Sequence, residues 1–412
     1  MKKIKSSAIY YALFLSVIFA LVLGALILFS GFNQNFSLQM EIEEILIDNA
    51  ASGIAYGQIN FKELPANKPV NLRLFDTGVD SVELTKKNWG AFTIIQSTAK
   101  HRNKSQTKIA LMGAVNKIQQ PNLYLVDNGR PVSLCGNARI EGLCYLPKAG
   151  LRRAYIEGKS YTGTKMVYGL VKPANKQLPT IKTDFVENVA SLTQNIILWS
   201  QDVDSINVSF LEEAQHFVSD GFMHLDEMVI NGQIILEAKD SIFIGQNATI
   251  NNAIIKSKIV YIETGFSGTV QIFASEKIII EEFVQLKYPS VVGLIEEDFP
   301  VNRPAEITIA QNSQIIGTVF MLSKKPNFRM LPKLTIETNA EIDGLVYCSG
   351  RTQLKGTIKG SLFSQKLYLK TASSAYENHL LDGQILKTLP DNFMAANLLE
   401  ETTLLKQIAW LQ

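Results

Sequence analysis

The chain has 412 residues, with 40 Lys and Arg against 38 Asp and Glu and a formal net charge of +2. So even a balance leaves no chain-wide basic field to recruit nucleic acid, and 26 Gly with 13 Pro suits globular structure rather than disorder. Three cysteines, none in a Cys-x-x-Cys pair, indicate neither a zinc site nor a disulfide-built scaffold.

From Ser6 to Met40 there is no Asp, Glu, Lys or Arg, and Ala8 to Gly31 is almost wholly apolar. A hydrocarbon core of about 30 Å takes roughly 20 helical residues, which this stretch supplies and a short secretory h-region does not. Tyr10 and Tyr11 lie near one end, where amphipathic rings favour the interface. Lys2, Lys3 and Lys5 precede the span, and Glu41, Glu43, Glu44 and Asp48 follow it. The positive-inside bias therefore predicts a single-pass protein of a bacterial cytoplasmic (inner) membrane, N-terminus inside and bulk periplasmic or extracellular. Membrane lipid is its first expected partner.

Beyond the span, Leu38, Ile42, Ile45, Leu46, Ala50 and Ile54 recur mainly in steps of three and four, predicting an amphipathic stalk helix that packs its apolar face on a following domain. Residues 1–60 are thus read as transmembrane helix and stalk. The lysine-bearing leader, the apolar helix and a continuation ending in Asp48-Asn49-Ala50-Ala51-Ser52-Gly53 resemble type IV minor pilins of the PilX type. That resemblance implies a component of a type IV pilus-related assembly, secretion or adhesion system, with other pilin-like or envelope assembly proteins as partners. The prepilin-peptidase signature of Gly before Phe-Thr-Leu-x-Glu is absent from this sequence.

Residues 61–150 read as an antiparallel β region. Val70 to Phe75 and Gly90 to Ile95 are β-rich runs between turn residues, and residues 91–115 read as a hairpin turning at His101-Arg102-Asn103-Lys104-Ser105. Leu123-Tyr124-Leu125 then meets a turn at Asp127-Asn128-Gly129. The first copy of a repeat follows, Asn137-Ala138-Arg139-Ile140-Glu141-Gly142, with later copies beginning at Asn247, Asn312 and Asn339. Cys144, Ile254, Val319 and Val346 each fall two residues after a copy, which predicts an inward position for all four. Cys135 and Cys144 read as buried thiols, although a bridge between them is conceivable from their proximity.

Residues 151–225 read as an insertion, partly helical near Asp184 to Leu192. From 226 to 372, lysines before aliphatic runs at 239, 258 and 277 return every 19 residues (258 minus 239; 277 minus 258). Short strands with Asn or Gly at the corners predict an irregular parallel β-helix, interrupted at Lys287–Pro304 and Ser323–Pro332. Its Ile-x-Ile-x-x-Asn-Ala-x-Ile-x-Gly cadence resembles bactofilin-type β-helices. The tail, 373–412, has helix-like apolar spacing from Asn392 to Leu411 and is read as a C-terminal cap. The fold class is thus mainly β: a helix, a small antiparallel sheet, then a parallel β-helix.

No GxSxG, HExxH, Walker A or dinucleotide motif occurs. His216, Asp220 and His224 are the nearest approach to a metal set, and Ser105 with Lys108 forms a Ser-x-x-Lys string. Asp202, Asp204, Glu237, Glu263 and Glu281 are the acids available for glycan chemistry, Glu281-Glu282 reading as a corner. None of these is assigned a catalytic, cofactor-binding or metal-ligating role, and no cofactor is expected. The expected function is non-enzymatic; the alternatives are a polysaccharide-binding or polysaccharide-degrading envelope protein, or a bactofilin-like scaffold.

Overall fold

The computed structural model describes residues 6–74, 81–115, 120–190, 196–200, 203–296, 304–323, 331–390, 393–400 and 404–411. Lys2, Lys3, Lys5, Phe75, Ser191, Leu192, Asp202 and Asn392 lie outside them. The protein is mainly β, with one long N-terminal apolar helix, a small antiparallel sheet and a large parallel sheet that closes on itself. It forms two compact units, residues 1–85 with 96–108 and residues 86–95 with 109–412.

In the first unit, helix α1 runs unbroken from Ser6 to Ile59, 54 residues, or about 80 Å at helical rise. Its most apolar window has a mean hydropathy of 2.9 and is 0% buried, so it is long and apolar enough to cross a membrane. The later turns pack on a sheet instead: Leu46 and Ala50 sit against Val82, Leu84 and Ala99. Gly53 permits that approach, because a Cβ there would strike Ser97 and lie 2.7 Å from Val82. Lys104 Nζ donates to Glu43 Oε1 at 3.2 Å and to the Gln39 carbonyl at 3.3 Å. The expected stalk face is narrower than its spacing suggested, since Leu38 and Ile45 are 56% and 45% exposed. At about 100° per residue, neither aligns with the Leu46–Ala50–Ile54 stripe.

The expected hairpin forms from Phe92–His101 and Lys104–Val115, with Arg102 at φ 51 in its turn. Within the second unit, Leu405–Leu411 pairs antiparallel with the residues from Ile109 to Ala114, and Met394–Ala395 pairs with Ala114 and Val115. The helix expected over the tail is therefore replaced by strands. Leu405, Ile408 and Leu411 are spaced as on a helix, but in the strand a register irregularity between Gln407 and Ala409 interrupts the alternation, and pairing with the open edge of Lys104–Val115 satisfies backbone groups on both segments.

The parallel sheet has a register that can be followed strand by strand. One ladder runs Ser241, Ile259, Lys277, Glu306, Lys333 and Arg351. Its first two steps are 18 residues (259 minus 241; 277 minus 259), so Lys258 sits beside Asp240, 3.1 Å away, rather than beneath Lys239. The 19-residue spacing of lysines is thus not the ladder step. The next two steps are 29 and 27 (306 minus 277; 333 minus 306), so the pairing continues on the far side of each expected interruption. The first interruption is shorter than expected, because Gln285–Glu296 is a strand.

The motif isoleucines form one inward stack. Leu286, Ile315, Ile342, Ile358, Ile385 and Ile140 are successive partners, and Ile206, Ile230 and Ile250 form another run of it. All but Ile206 and Leu286 are 0% exposed, and each such side chain withdraws about 1.5–3 kcal/mol worth of apolar surface from water. Asn312 and Asn339 occupy the left-handed corners at φ 59 and 60. In the first copy that role passes to Gly136 at φ 60, whereas Asn252, at φ 62, holds the sixth motif position, where Gly142, Gly317 and Gly344 also have positive φ. The Asn252 irregularity shifts the strand by one, so Ile255, not Ile254, shares the inward ladder with Val319 and Val346.

The repeat copy that comes first in the chain stacks last in space. Leu123–Leu125 pairs in parallel with Leu362–Ser364, and Arg139–Ile140 with Gln384–Ile385, after which Tyr168–Pro173 adds to Glu141–Leu146. Leu123–Leu125 and Tyr168–Pro173 therefore belong to the parallel sheet, not to an antiparallel region or an insertion. The chain then returns along the outside: the Tyr124 and Tyr347 hydroxyls donate to the carbonyls of Gln177 and Pro179. Helix α2 (Thr183–Ala190) places Phe185 edge-on to Phe320. Parallel pairing resumes at Ile196–Leu198, well before residue 226.

Candidate functional site

Outward positions on strand Glu341–Leu354 build a polar cluster with a cleft beside it. Parallel register sets Gln314, Glu341 and Thr357 in one row and Ile316, Asp343 and Lys359 in the next. Lys359 Nζ bonds to Glu341 and lies 3.8 Å from Asp343 Oδ1, while Gln314 Nε2 donates to Asp343 Oδ2 at 3.1 Å. The cleft, about 440 Å³, is lined by Asp343, Lys359, Tyr288, Leu389, Phe393 and Ile408. Burial, followed by the Glu341 charge, pushes the Asp343 carboxyl up to about 6, against the pull of Lys359 and Gln314. Such a group can exchange a proton near neutral pH.

The sign of the resulting pH dependence is fixed. The folded chain holds the Asp343 proton more tightly than the unfolded chain, whose carboxyl has the ordinary value of 3.8. The cost of charging it is absent below that value, grows as pH rises, and is complete above about 6. Asp343→Asn should therefore gain on the order of 2 kcal/mol relative to the native chain between pH 4 and pH 8. Denaturant midpoints at the two pH values test this; a pH-independent difference between the two proteins would refute it.

The residues singled out by sequence are dispersed. His216 is buried, its Nε2 3.0 Å from Glu237 Oε2, and Lys256 reaches Glu237 Oε1 at 3.1 Å. The adjoining His216 ring, foremost, and Lys256 hold Glu237 below the usual carboxylate range. His224 instead stacks on Phe243 at 4.7 Å, and Asp220 is exposed. No group of three metal-ligating side chains forms among the described residues. Ser105 and Lys108 lie on one strand, where an offset of three turns them to opposite faces.

Asp204 is exposed; Glu263 Oε2 accepts from the Gln246 amide at 2.8 Å, and Glu281-Glu282 follows a strand end before Phe283 at φ 60. All three cysteines are buried and unbridged, with burial pushing Cys144 to about 12 and Cys348 to about 11. Both thiols are neutral at physiological pH.

The Glu341–Asp343–Lys359 cluster was missed by motif search, although its signal was present. The echo between Glu341-Ile342-Asp343-Gly344 and Thr357-Ile358-Lys359-Gly360 places Lys359 directly over Asp343 once the two are stacked. No protein-family model, no curated protein and no solved structure matches the chain.

Proposed function

We propose that this is a non-enzymatic, single-pass envelope protein of a bacterial cytoplasmic membrane, with a parallel β-helix displayed on the outer side and a pilin-like role in a type IV pilus-related assembly, secretion or adhesion system. The observation that carries this reading is the unbroken α1. Its apolar first part is exposed along its length, and the same helix then packs Leu46 and Ala50 into a sheet. One rigid element thus joins a membrane-length segment to folded structure, which suits presentation of the domain at a membrane surface. The lysine-first, acid-after flanks support the orientation, and the resemblance to minor pilins supports the assembly role.

Protease added to intact spheroplasts should remove the domain beyond residue 60 and leave a short membrane-retained N-terminal fragment. Affinity capture of the full chain should retrieve other helix-anchored pilin-like proteins. Complete protection of the domain would overturn the orientation, and capture of none of those proteins would overturn the assembly role.

A further inference from the structure

The charge of the chain is near zero overall but sharply uneven. Residues 139–182 hold nine basic side chains and two acidic ones, a net of +7, so the remaining residues sum to −5 (2 minus 7). These 44 residues form the last-stacked end of the parallel sheet, Arg139–Leu146 and Tyr168–Pro173, together with the segment that leaves it. Most of their cations are exposed, and Lys172, Lys176 and the neighbouring Lys387 make no ion pair among the described residues.

Two grooves open on this end and share one wall at Tyr145. One, about 850 Å³, has a floor of Tyr124, Tyr145 and Phe363 and a rim carrying Gln120, Asn175 and Lys176. The other, about 600 Å³, is lined by Tyr145, Tyr168, Lys172 and Lys387. Its one carboxylate, Glu141, is already taken by Arg139 Nε at 2.7 Å. An extended ligand crossing from one groove to the other therefore passes free cations, amide side chains and ring edges, and meets little negative charge.

The rings themselves narrow the class of ligand. Tyr145 is stacked on Tyr124 at 5.4 Å on one face and has Lys172 Nζ 5.9 Å from its centroid. Arg139 lies 4.6 Å over Tyr168, and Arg153 lies 5.7 Å over Tyr161. Single-stranded nucleic acid binds such surfaces by laying bases on free ring faces, whereas in these grooves Tyr145 is covered by Tyr124 on one face with Lys172 beside it, and Tyr168 carries Arg139 over one face. What remains available is ammonium groups for carboxylates and amides for hydroxyls.

We propose that this basic end binds an acidic polysaccharide, a carboxylate-bearing glycan lying across both grooves. The proposal rests on the reading that the domain is displayed outside the cytoplasm, where such polymers occur, but its test does not depend on topology. Lys172, Lys176 and Lys387 supply the charge, Asn175 and Gln120 the hydroxyl contacts, and Tyr145 the shared wall.

The test uses the purified full chain in neutral detergent, with polygalacturonate as the probe and dextran and a single-stranded oligonucleotide as comparators. Polygalacturonate should bind, dextran should not, and affinity should fall as salt rises from about 0.05 M to about 0.5 M because the cations are exposed. The triple variant Lys172→Gln, Lys176→Gln, Lys387→Gln should weaken binding about tenfold or more with an unchanged melting temperature. A control that removes equal charge elsewhere, Lys258→Gln, Lys333→Gln, Lys355→Gln, should stay within about twofold.

No binding of polygalacturonate, equal losses in the two triple variants, or tighter binding of the oligonucleotide would each overturn the proposal. None of these results would alter the protease result above, so the two readings fail separately.

Discussion

Gly344→Ala should destabilise the parallel sheet by about 3 kcal/mol or more, seen as a large drop in the denaturant midpoint of the full chain. Gly317, Gly344 and Gly360 are successive partners in one ladder, at φ 155, 154 and 130. At each step the backbone of one repeat fills the space a side chain would need on the next. A Cβ at Gly344 would collide with the Gly317 carbonyl and come within 3.0 Å of the Phe393 ring. Neither backbone can retreat without opening hydrogen bonds to the strands on both sides. Gly129 supplies the comparison: its φ is +73 but nothing lies within 4 Å of a Cβ there. Gly129→Ala should therefore lose only the conformational cost, about 1–2 kcal/mol. Equal losses at the two positions would show that φ, not backbone crowding, is what the ladder requires.

Phe320→Ala should cost about 3–5 kcal/mol, the range for deleting a fully buried aromatic side chain. The ring is 0% exposed, edge-on to Phe185 at 5.2 Å and tilted against Phe273 at 6.2 Å. It lies over Gly293, its partner on the preceding strand, which has no side chain to push it away. A strand-interior glycine beneath an aromatic ring makes the pair interdependent. Gly293→Val alone should destabilise, because its Cβ would occupy the ring position; in the Phe320→Ala background the same change should restore part of the loss by filling the void. The double-mutant cycle reads this as a reversal of sign. Strict additivity would mean that the ring and the glycine do not share that space.

The same dependence on stacking explains how the inner and outer faces came to differ in legibility. The isoleucine at the fourth motif position is inward in every copy, because alternation along a strand fixes which side chains share a face. The outward cluster of Glu341, Asp343 and Lys359 draws on two strands separated in sequence, and no single stretch of chain displays it. Likewise the nine cations of residues 139–182 are visible as a count, but the placing of Lys172 and Lys176 on the two grooves beside Lys387 depends on Tyr168–Pro173 pairing with Glu141–Leu146 and on Gln384–Leu386 pairing with Arg139–Ile140. Leu405–Leu411 shows the converse limit: its apolar spacing fits a helix, and an unpaired edge elsewhere in the chain made it a strand.

By itself the sequence determined the membrane-length apolar helix, the hairpin and the inward repeat of Ile140, Ile250, Ile315 and Ile342, since each depends on composition or period within a few turns of chain. Only the tertiary structure decided the order of stacking, in which the copy at Asn137 follows Gln384–Leu386, and the one-residue shift that replaced Ile254 with Ile255. The physical reason is that a strand's period fixes its faces, whereas its neighbour and register are fixed by hydrogen bonds to backbone groups that can lie anywhere along the chain.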